Sequence, residues 1–163
     1  MRPKTLADLR RVMPGLDRLL RSAAPYRDVI HTGRLAERYC EKLFPLRLMK
    51  TSNARGIDAK APHGERVEIK HRVYRGATPP GMKIDLAGVD LVYYVKLAPD
   101  LLPDCIYRIE SKHIAATTNG RVSFRTAIRD GAATVVFSRA AAVPRLPTAR
   151  RESPRASAGT RRP

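Results

Sequence analysis

The sequence predicts one α/β domain, and three observations carry that prediction. Residues 33–44 place apolar side chains at helical spacing. Residues 91–97, LVYYVKL, form a nearly continuous apolar run of strand length, which is typical of a central strand covered on both faces. Residues 56–61 and 65–74 predict two strands, and the turn-rich link at 62–64 favours a hairpin between them. A length of 163 residues suits one domain with a single core.

The chain carries a large excess of basic charge. It contains 32 lysines and arginines against 15 aspartates and glutamates, which gives a formal net charge of +17 at pH 7. This charge predicts a polyanionic partner, and we expect nucleic acid, with DNA favoured. The charge alone does not distinguish DNA from RNA, a ribosome or an acidic membrane surface.

Neither a membrane span nor a disulfide framework is predicted. No apolar run approaches the roughly 18 residues that a membrane span needs. The basic N-terminus is followed by no apolar stretch of the kind found in secretory signals. Cys40 and Cys105 have no close spacing, so we expect two buried free thiols rather than a zinc knuckle or a disulfide. These features predict a cytoplasmic protein with no membrane contact.

Three segments follow from composition and spacing. Residues 1–30 are predicted to form an N-terminal helical cap or arm, in which Pro14 and Gly15 divide the pattern into two short helices or kink a single one. Residues 31–140 are predicted to form the main domain. Residues 141–163 are predicted to be a disordered basic tail, because their arginines and prolines cannot bury a core.

The helix in the main domain has one apolar stripe and two unequal glutamates. We expect Thr32 to cap this helix and Pro45 to end it. At about 100° per residue, Glu37 lies roughly 110° from the centre of the stripe, at the border of the buried face. Glu41 lies roughly 150° away, so we expect it to point to solvent. The stripe consists of Leu35, Ala36, Tyr39, Cys40, Leu43 and Phe44.

Further strands are predicted on both sides of the hairpin. Residues 46–52 alternate apolar and polar side chains, which indicates a strand. Residues 76–83 are predicted to be a loop, and 104–111 are predicted to be a strand. Residues 122–138 are expected to end in a strand after Asp130-Gly131, with a helix as the alternative.

Two acids and a lysine are brought together by the predicted hairpin. Glu68 and Lys70 are two residues apart on one strand, so their side chains leave the same face, where Asp58 of the neighbouring strand can meet Glu68. Two carboxylates brought together repel unless a cation lies between them. Hard oxygen ligands suit Mg²⁺ or Mn²⁺, and the carbonyl of Ile69 could add one more ligand. Lys70 would stand beside the bound water, as hydrolysis of a phosphodiester requires.

The order of these residues resembles that of a known family. A helix carrying Glu37, then Gly56-Ile57-Asp58, then Val67-Glu68-Ile69-Lys70 looks like the PD-(D/E)xK nucleases, the restriction endonuclease-like superfamily. The resemblance covers residues 31 to about 97 and is greatest for archaeal-type junction resolvases and small uncharacterised nuclease domains. It implies an α/β fold with a restriction endonuclease-like αβββ(α)β core and a central mixed sheet.

The resemblance also implies roles for the matching residues. Asp58 and Glu68 would bind the metal, Lys70 would be the catalytic lysine, and Glu37 would be the extra acid of the first core helix. Many members of the superfamily dimerise, which implies a homodimer here. Two departures are visible: Gly56 and Ile57 replace the proline of the motif, and residues 73–90 leave room for only one short turn of the expected helix.

Three arginines are candidate nucleic-acid-binding residues, namely Arg72, Arg55 and Arg34. Strand alternation puts Arg72 on the face of Lys70, where it either holds a phosphate or is merely solvated. His71 faces the opposite way, so we expect it to pack rather than to act as a base. Asp90 is expected to lead into the strand at 91–97, with a metal role as the alternative.

The sequence supports more than one function. The first is a Mg²⁺-dependent endonuclease (Mn²⁺ possible as the metal) that hydrolyses DNA. The second is a catalytically inactive nuclease-fold protein that binds DNA or RNA through its basic surface. The third is an RNA- or ribosome-associated basic protein, in which Glu68 and Lys70 form an ordinary charge pattern on an exposed hairpin and Asp58 caps a turn.

Overall fold

A computed structural model of the chain has mixed α/β architecture, with a large mixed sheet and few helices. It describes residues 3–49, 56–73, 83–85, 88–113 and 121–140. The predicted tail at 141–163, Arg55 and the end of the strand predicted at 46–52 lie outside these ranges.

A seven-stranded sheet forms the centre, in the order β1-β9-β7-β6-β4-β3-β2. Strands β2, β3 and β4 are antiparallel neighbours, β4 and β6 are parallel, and β6, β7 and β9 are antiparallel. A separate two-stranded sheet pairs β5 with β8. The strand bounds are β1 Lys4–Thr5, β2 Arg47–Leu48, β3 Ala59–Lys60, β4 Arg66–Val73, β5 Lys83–Asp85, β6 Leu91–Leu97, β7 Pro103–Glu110, β8 Arg121–Ser123 and β9 Ala133–Ser138.

The predicted hairpin and central strand are confirmed. Strands β3 and β4 pair antiparallel on either side of the turn at 62–64. Strand β6 occupies Leu91–Leu97, the apolar run predicted to be a central strand, and it is hydrogen-bonded to neighbouring strands on both edges. Its side chains alternate between two cores: Tyr93 packs into the cluster under the main helix, and Tyr94 packs into the cluster on the opposite face.

Helices lie on both faces of the sheet. They are α1 Leu6–Val12, α2 Leu16–Ala23, α3 Thr32–Leu43 and α4 Phe124–Arg129, with 3₁₀ turns at Ala24–Val29 and Ser111–His113. The break between α1 and α2 confirms the interruption predicted at Pro14 and Gly15, and Gly15 has the positive φ (82°) that favours glycine. None of the helices in the described ranges combines the length and apolarity that crossing a bilayer requires.

Helix α3 begins one residue earlier than predicted. His31, not Thr32, is the N-cap, because its imidazole Nδ1 accepts a hydrogen bond from the backbone N–H of Arg34 at 3.3 Å. The Thr32 hydroxyl instead lies 2.9 Å from Nε2 of His71 on β4. The helix ends at Leu43, before Pro45, as predicted.

One core cluster joins α3 to the sheet and to the N-terminal helices. Tyr39 and Cys40 of α3 are fully buried in it, together with Leu9 of α1. The Tyr39 hydroxyl donates a hydrogen bond to the carbonyl of Leu101 at 3.0 Å, which fixes the middle of α3 to the turn between β6 and β7.

One short turn of helix was expected within residues 73–90, between β4 and β6. Lys83–Asp85, which falls in the stretch expected to form a helical turn, is a strand paired with β8. Helix α4, later in the chain, packs its Phe124 against the face of the sheet opposite α3. The centroid of the Phe124 ring lies 3.9 Å from that of Tyr94 and 5.2 Å from that of Tyr107. A short helix followed by strand β9 therefore fills the segment for which sequence reasoning left strand and helix open.

Candidate functional site

Asp58 lies immediately before β3, and its side chain reaches across to β4. Its backbone N–H donates to the carbonyl of Val67 at 2.8 Å, which continues the ladder between the two strands. Two residues further along β4, the Asp58 side chain replaces the backbone acceptor: Oδ2 accepts a hydrogen bond from the N–H of Ile69 at 2.6 Å. Because the N–H and C=O of a strand residue leave on the same side, the carbonyl of Ile69 also leaves β4 on the side of β3.

Glu68 and Lys70 flank that contact on β4. Glu68 is only 4% exposed, and its Oε1 forms an ion pair with Nζ of the partly exposed Lys70. Gly56 lies against the same carboxylate, since a Cβ at this position would stand 3.3 Å from Glu68 Oε1. Gly56 also has a φ of 75°, so two separate constraints favour glycine beside Glu68.

Glu37 approaches Asp58 from α3. Its side chain is 13% exposed and accepts a hydrogen bond from Arg34 Nη1 at 2.8 Å. Glu41, one turn later, is paired in the same way with Arg38 at 2.6 Å and is partly buried. Glu41 is more exposed than Glu37, in the order expected from the helix angles, and its hydrogen bond with Arg38 is at the surface.

The charges around Asp58 act on its ionisation. Burial raises the pKa of the Asp58 carboxyl above its usual value, and the neighbouring Glu37 carboxylate adds to the increase. The hydrogen bond from Ile69 and the charges of Lys70 and Arg34 act in the opposite direction. The neighbouring positive charges therefore do not fully offset the burial of an ionised Asp58, and a further cation would stabilise its carboxylate.

The donors suit a hard cation in kind but do not surround one point. Carboxylates of Asp58, Glu68 and Glu37 and the carbonyl of Ile69 are the oxygen ligands that Mg²⁺ and Mn²⁺ prefer. Among the residues that the structure describes, no three His, Cys, Asp or Glu side chains are close enough to hold one metal ion. Two of the three carboxylates already have a cationic partner, Lys70 on Glu68 and Arg34 on Glu37. Lys70 contacts Oε1 of Glu68 and Arg34 contacts Oε2 of Glu37, so a metal here would either use the other oxygen of each carboxylate or displace the side-chain cation.

The candidate phosphate-binding residues are in different situations. Arg72 is exposed on β4, Arg34 is engaged by Glu37, and Arg55 lies outside the described residues. His71 is half-buried against Thr32 of α3, and burial is the main cause that lowers the pKa of its imidazole. Its packing role is therefore confirmed.

Asp90 and the tyrosines have structural roles. The Asp90 carboxylate accepts hydrogen bonds from the backbone N–H of Arg66 at 2.9 Å and from its guanidinium at 3.1 Å, which joins the start of β4 to the start of β6. The rings of Tyr93, Tyr94 and Tyr107 are buried in the two core clusters. Both cysteines are free and buried, also as expected, and burial raises the pKa of Cys105 to about 11.

Sequence reasoning missed two features of the site. The contact of Gly56 with Glu68 could be suspected only from the glycine's position two residues before Asp58. The Arg34–Glu37 pair had a clearer signal, because Arg-x-x-Glu occurs twice in succession along α3, at 34/37 and at 38/41, and residues three apart on a helix are neighbours.

No protein-family model matches the chain, and no curated protein matches it significantly.

Proposed function

We propose that this protein is a Mg²⁺-dependent endonuclease of the PD-(D/E)xK type that hydrolyses phosphodiester bonds in DNA. The observation that supports this most strongly is the 2.6 Å hydrogen bond from the Ile69 N–H to Asp58. It brings the isolated acid of Gly-Ile-Asp against the Glu-x-Lys strand, whose Glu68 and Lys70 are already in contact.

The arrangement of elements also supports the proposal. Helix α3 is followed by the antiparallel strands β2, β3 and β4 and then by β6, which is parallel to β4. This is the order expected of an αβββ(α)β core. A helix is expected between the last two strands; within the described residues of that connection Lys83–Asp85 is a strand, and α4 packs against the corresponding face of the sheet.

Each residue of the site has a role in this proposal. Asp58, oriented by the Ile69 N–H, and Glu68 would hold the metal, and Glu37 and the Ile69 carbonyl would be further donors. When bound, Mg²⁺ supplies Lewis acidity toward the phosphodiester and lowers the pKa of water. Lys70 leaves Glu68 and holds its ammonium where negative charge develops on the phosphate oxygens. Lys70 also favours loss of a proton from a nearby water, because its positive charge stabilises hydroxide.

The expected partner is nucleic acid. The net charge of +17 favours a polyanion, and the exposed Arg72 is on the strand that carries Lys70. A homodimer would allow two such sites to cut the two strands of a duplex.

A contact with a phosphate carries no sequence information, so Arg72→Ala should weaken binding to all DNA sequences by a similar factor.

A second candidate is a nucleic-acid-binding protein that keeps this fold without catalysis. One observation favours it: Lys70 and Arg34 neutralise two of the three carboxylates, so the site is electrostatically satisfied in part without a metal. Such a protein would retain its affinity for DNA and cut nothing.

Cleavage of supercoiled plasmid tests the proposal. The reaction is run with Mg²⁺, with Mn²⁺ and with EDTA, using wild type, Lys70→Ala and Lys60→Ala. Lys60 is an exposed lysine on β3 of the same hairpin and serves as the matched control. We expect nicking that depends on the metal, is reduced about 100-fold or more in Lys70→Ala and is retained in Lys60→Ala. Plasmid that is retarded on a gel but never cut would favour the binding protein.

A further inference from the structure

The two Arg–Glu pairs of α3 line one groove beside the candidate site. A cavity of about 500 Å³ lies between α3 and β2, and it is lined by Arg34, Glu37, Arg38, Glu41, Leu48 and Met49. The pairs have the same spacing and nearly the same distance, 2.8 Å for the first and 2.6 Å for the second. Two guanidinium groups and two carboxylates give these side chains no net charge.

The two pairs differ in their relation to Asp58. Glu37 and Arg34 are both close enough for their charges to act on the Asp58 carboxyl, and Glu37 is the less exposed of the two glutamates. Glu41 and Arg38 form the corresponding pair one turn further along α3. The first pair is therefore connected to the candidate metal site, and the second is a similar pair against which it can be compared.

Arg34 is held in a position that the helix itself does not favour. Helices α1 and α2 each have an aspartate in the first turn, where the helix dipole favours negative charge. Helix α3 has no acid there and carries Arg34 instead. Its guanidinium is about half exposed and its pair with Glu37 is partly in solvent, so this pair can open at little cost.

We propose that a divalent cation and a phosphate of the nucleic-acid backbone bind cooperatively through Arg34. The cation takes Glu37 as a donor, and the released guanidinium then binds the phosphate beside the groove. Once the cation neutralises Glu37, the groove side chains gain one net positive charge, and an arginine is free to bind a phosphate through two parallel hydrogen bonds. This inference rests on the proposed function, because it requires Glu37 to belong to the metal site.

The salt dependence of DNA binding tests the exchange without a cleavage readout. Affinity for a short fluorescent DNA duplex is measured by anisotropy over a series of salt concentrations, in Ca²⁺ and in EDTA, with the duplex checked on a gel for cutting. Each phosphate contact steepens the plot of log affinity against log salt by about 0.9. We expect Arg34→Gln to reduce this slope by about 0.9 in Ca²⁺ and to leave it unchanged in EDTA.

Two further variants sharpen the test. Arg38→Gln is the matched control, and whatever its own effect on DNA binding, that effect should be the same in Ca²⁺ and in EDTA. Glu37→Gln removes the carboxylate that holds Arg34, so in EDTA it should steepen the slope by about 0.9 relative to wild type. That gain should disappear in the double variant Glu37→Gln/Arg34→Gln.

The outcomes separate this inference from the function on which it rests. If Arg34→Gln changes the slope equally with and without Ca²⁺, or changes neither, the exchange is overturned even when Mg²⁺ supports plasmid cleavage. If Glu37→Gln has no effect in EDTA, Arg34 is not the group that Glu37 restrains, and the exchange is overturned too. If wild type neither cuts plasmid nor responds to Ca²⁺, the proposed function fails and this inference fails with it.

Discussion

Asp58 and Asp90 both accept a hydrogen bond from a backbone N–H of strand β4, yet the pKa values of their carboxyl groups shift in opposite directions. The donor is the N–H of Ile69 for Asp58 and the N–H of Arg66 for Asp90. Burial is the largest influence on Asp58 and raises its pKa. Hydrogen bonds from the Arg66 side chain and backbone are the largest influences on Asp90 and lower its pKa.

Asp90 is thus an acid whose ionised form stabilises the fold, and Asp58 is an acid whose ionised form destabilises it. Asp90 is exposed and has its own arginine, so its ionised form favours folding. Asp58 is half-buried near a second carboxylate, so its ionised form opposes folding. A perturbed acid of this kind is typical of a functional site, where stability is given up to keep a charge ready for a ligand.

The largest difference expected between Asp58 and Asp90 is in how much a divalent cation stabilises the folded protein. A ligand at about ten times its dissociation constant stabilises the folded state by about 1.4 kcal/mol, which raises Tm by roughly 3–6 °C for a chain of this size. Thermal unfolding with and without Mg²⁺ should show this increase in wild type and in Asp90→Asn, but not in Asp58→Asn. An equal increase in all three proteins would mean that the ion binds elsewhere.

The pH dependence of stability should differ in sign between the two aspartates. Because the pKa of folded Asp58 is raised, ionisation costs stability as pH rises through that value, so Asp58→Asn should be more stable than wild type at neutral pH and no more stable below about pH 3.9. Asp90→Asn should lose stability at neutral pH, with the loss fading as pH falls through the lowered pKa of Asp90. Denaturant unfolding in EDTA at several pH values measures both, and destabilisation of Asp58→Asn at neutral pH would contradict this assignment.

The smallest effect concerns Gly56. Both Gly56 and Gly64 of the hairpin turn have a positive φ, so alanine at either position should cost roughly 1 kcal/mol of backbone strain. A Cβ at Gly64 meets nothing within 4 Å, whereas one at Gly56 approaches Glu68 Oε1 at 3.3 Å. Gly56→Ala should therefore be slightly less stable than Gly64→Ala and should also reduce the response to Mg²⁺. Equal responses in the two variants would show that Gly56 does not position Glu68.

Local patterns in the sequence were sufficient to predict much of this fold. The bounds of strand β6 were predicted correctly because both of its faces are apolar, so the strand begins and ends where the apolar run does. The common face of Glu68 and Lys70 followed from strand alternation, and their ion pair agrees with it. The break at Gly15 followed from the backbone properties of proline and glycine.

Long-range pairing was not predictable in the same way. Strand β5 pairs with β8, which comes more than thirty residues later, and three residues carry too weak a pattern to indicate a strand of either sheet. The packing of Phe124 against Tyr94 likewise depends on a tertiary contact that no local period records. In the site, the residue types predicted hard oxygen ligands, but the two side-chain cations that engage Glu37 and Glu68 depend on rotamers that only the folded chain defines.

Anomalous diffraction from crystals grown with Mn²⁺ would test the central claim most directly. The account predicts one strong peak at roughly 2.1–2.2 Å from carboxylate oxygens of both Asp58 and Glu68, with Lys70 moved away from Glu68. No peak at this site while the Lys70–Glu68 pair remains intact, or a peak only near acids such as Asp90, would contradict it.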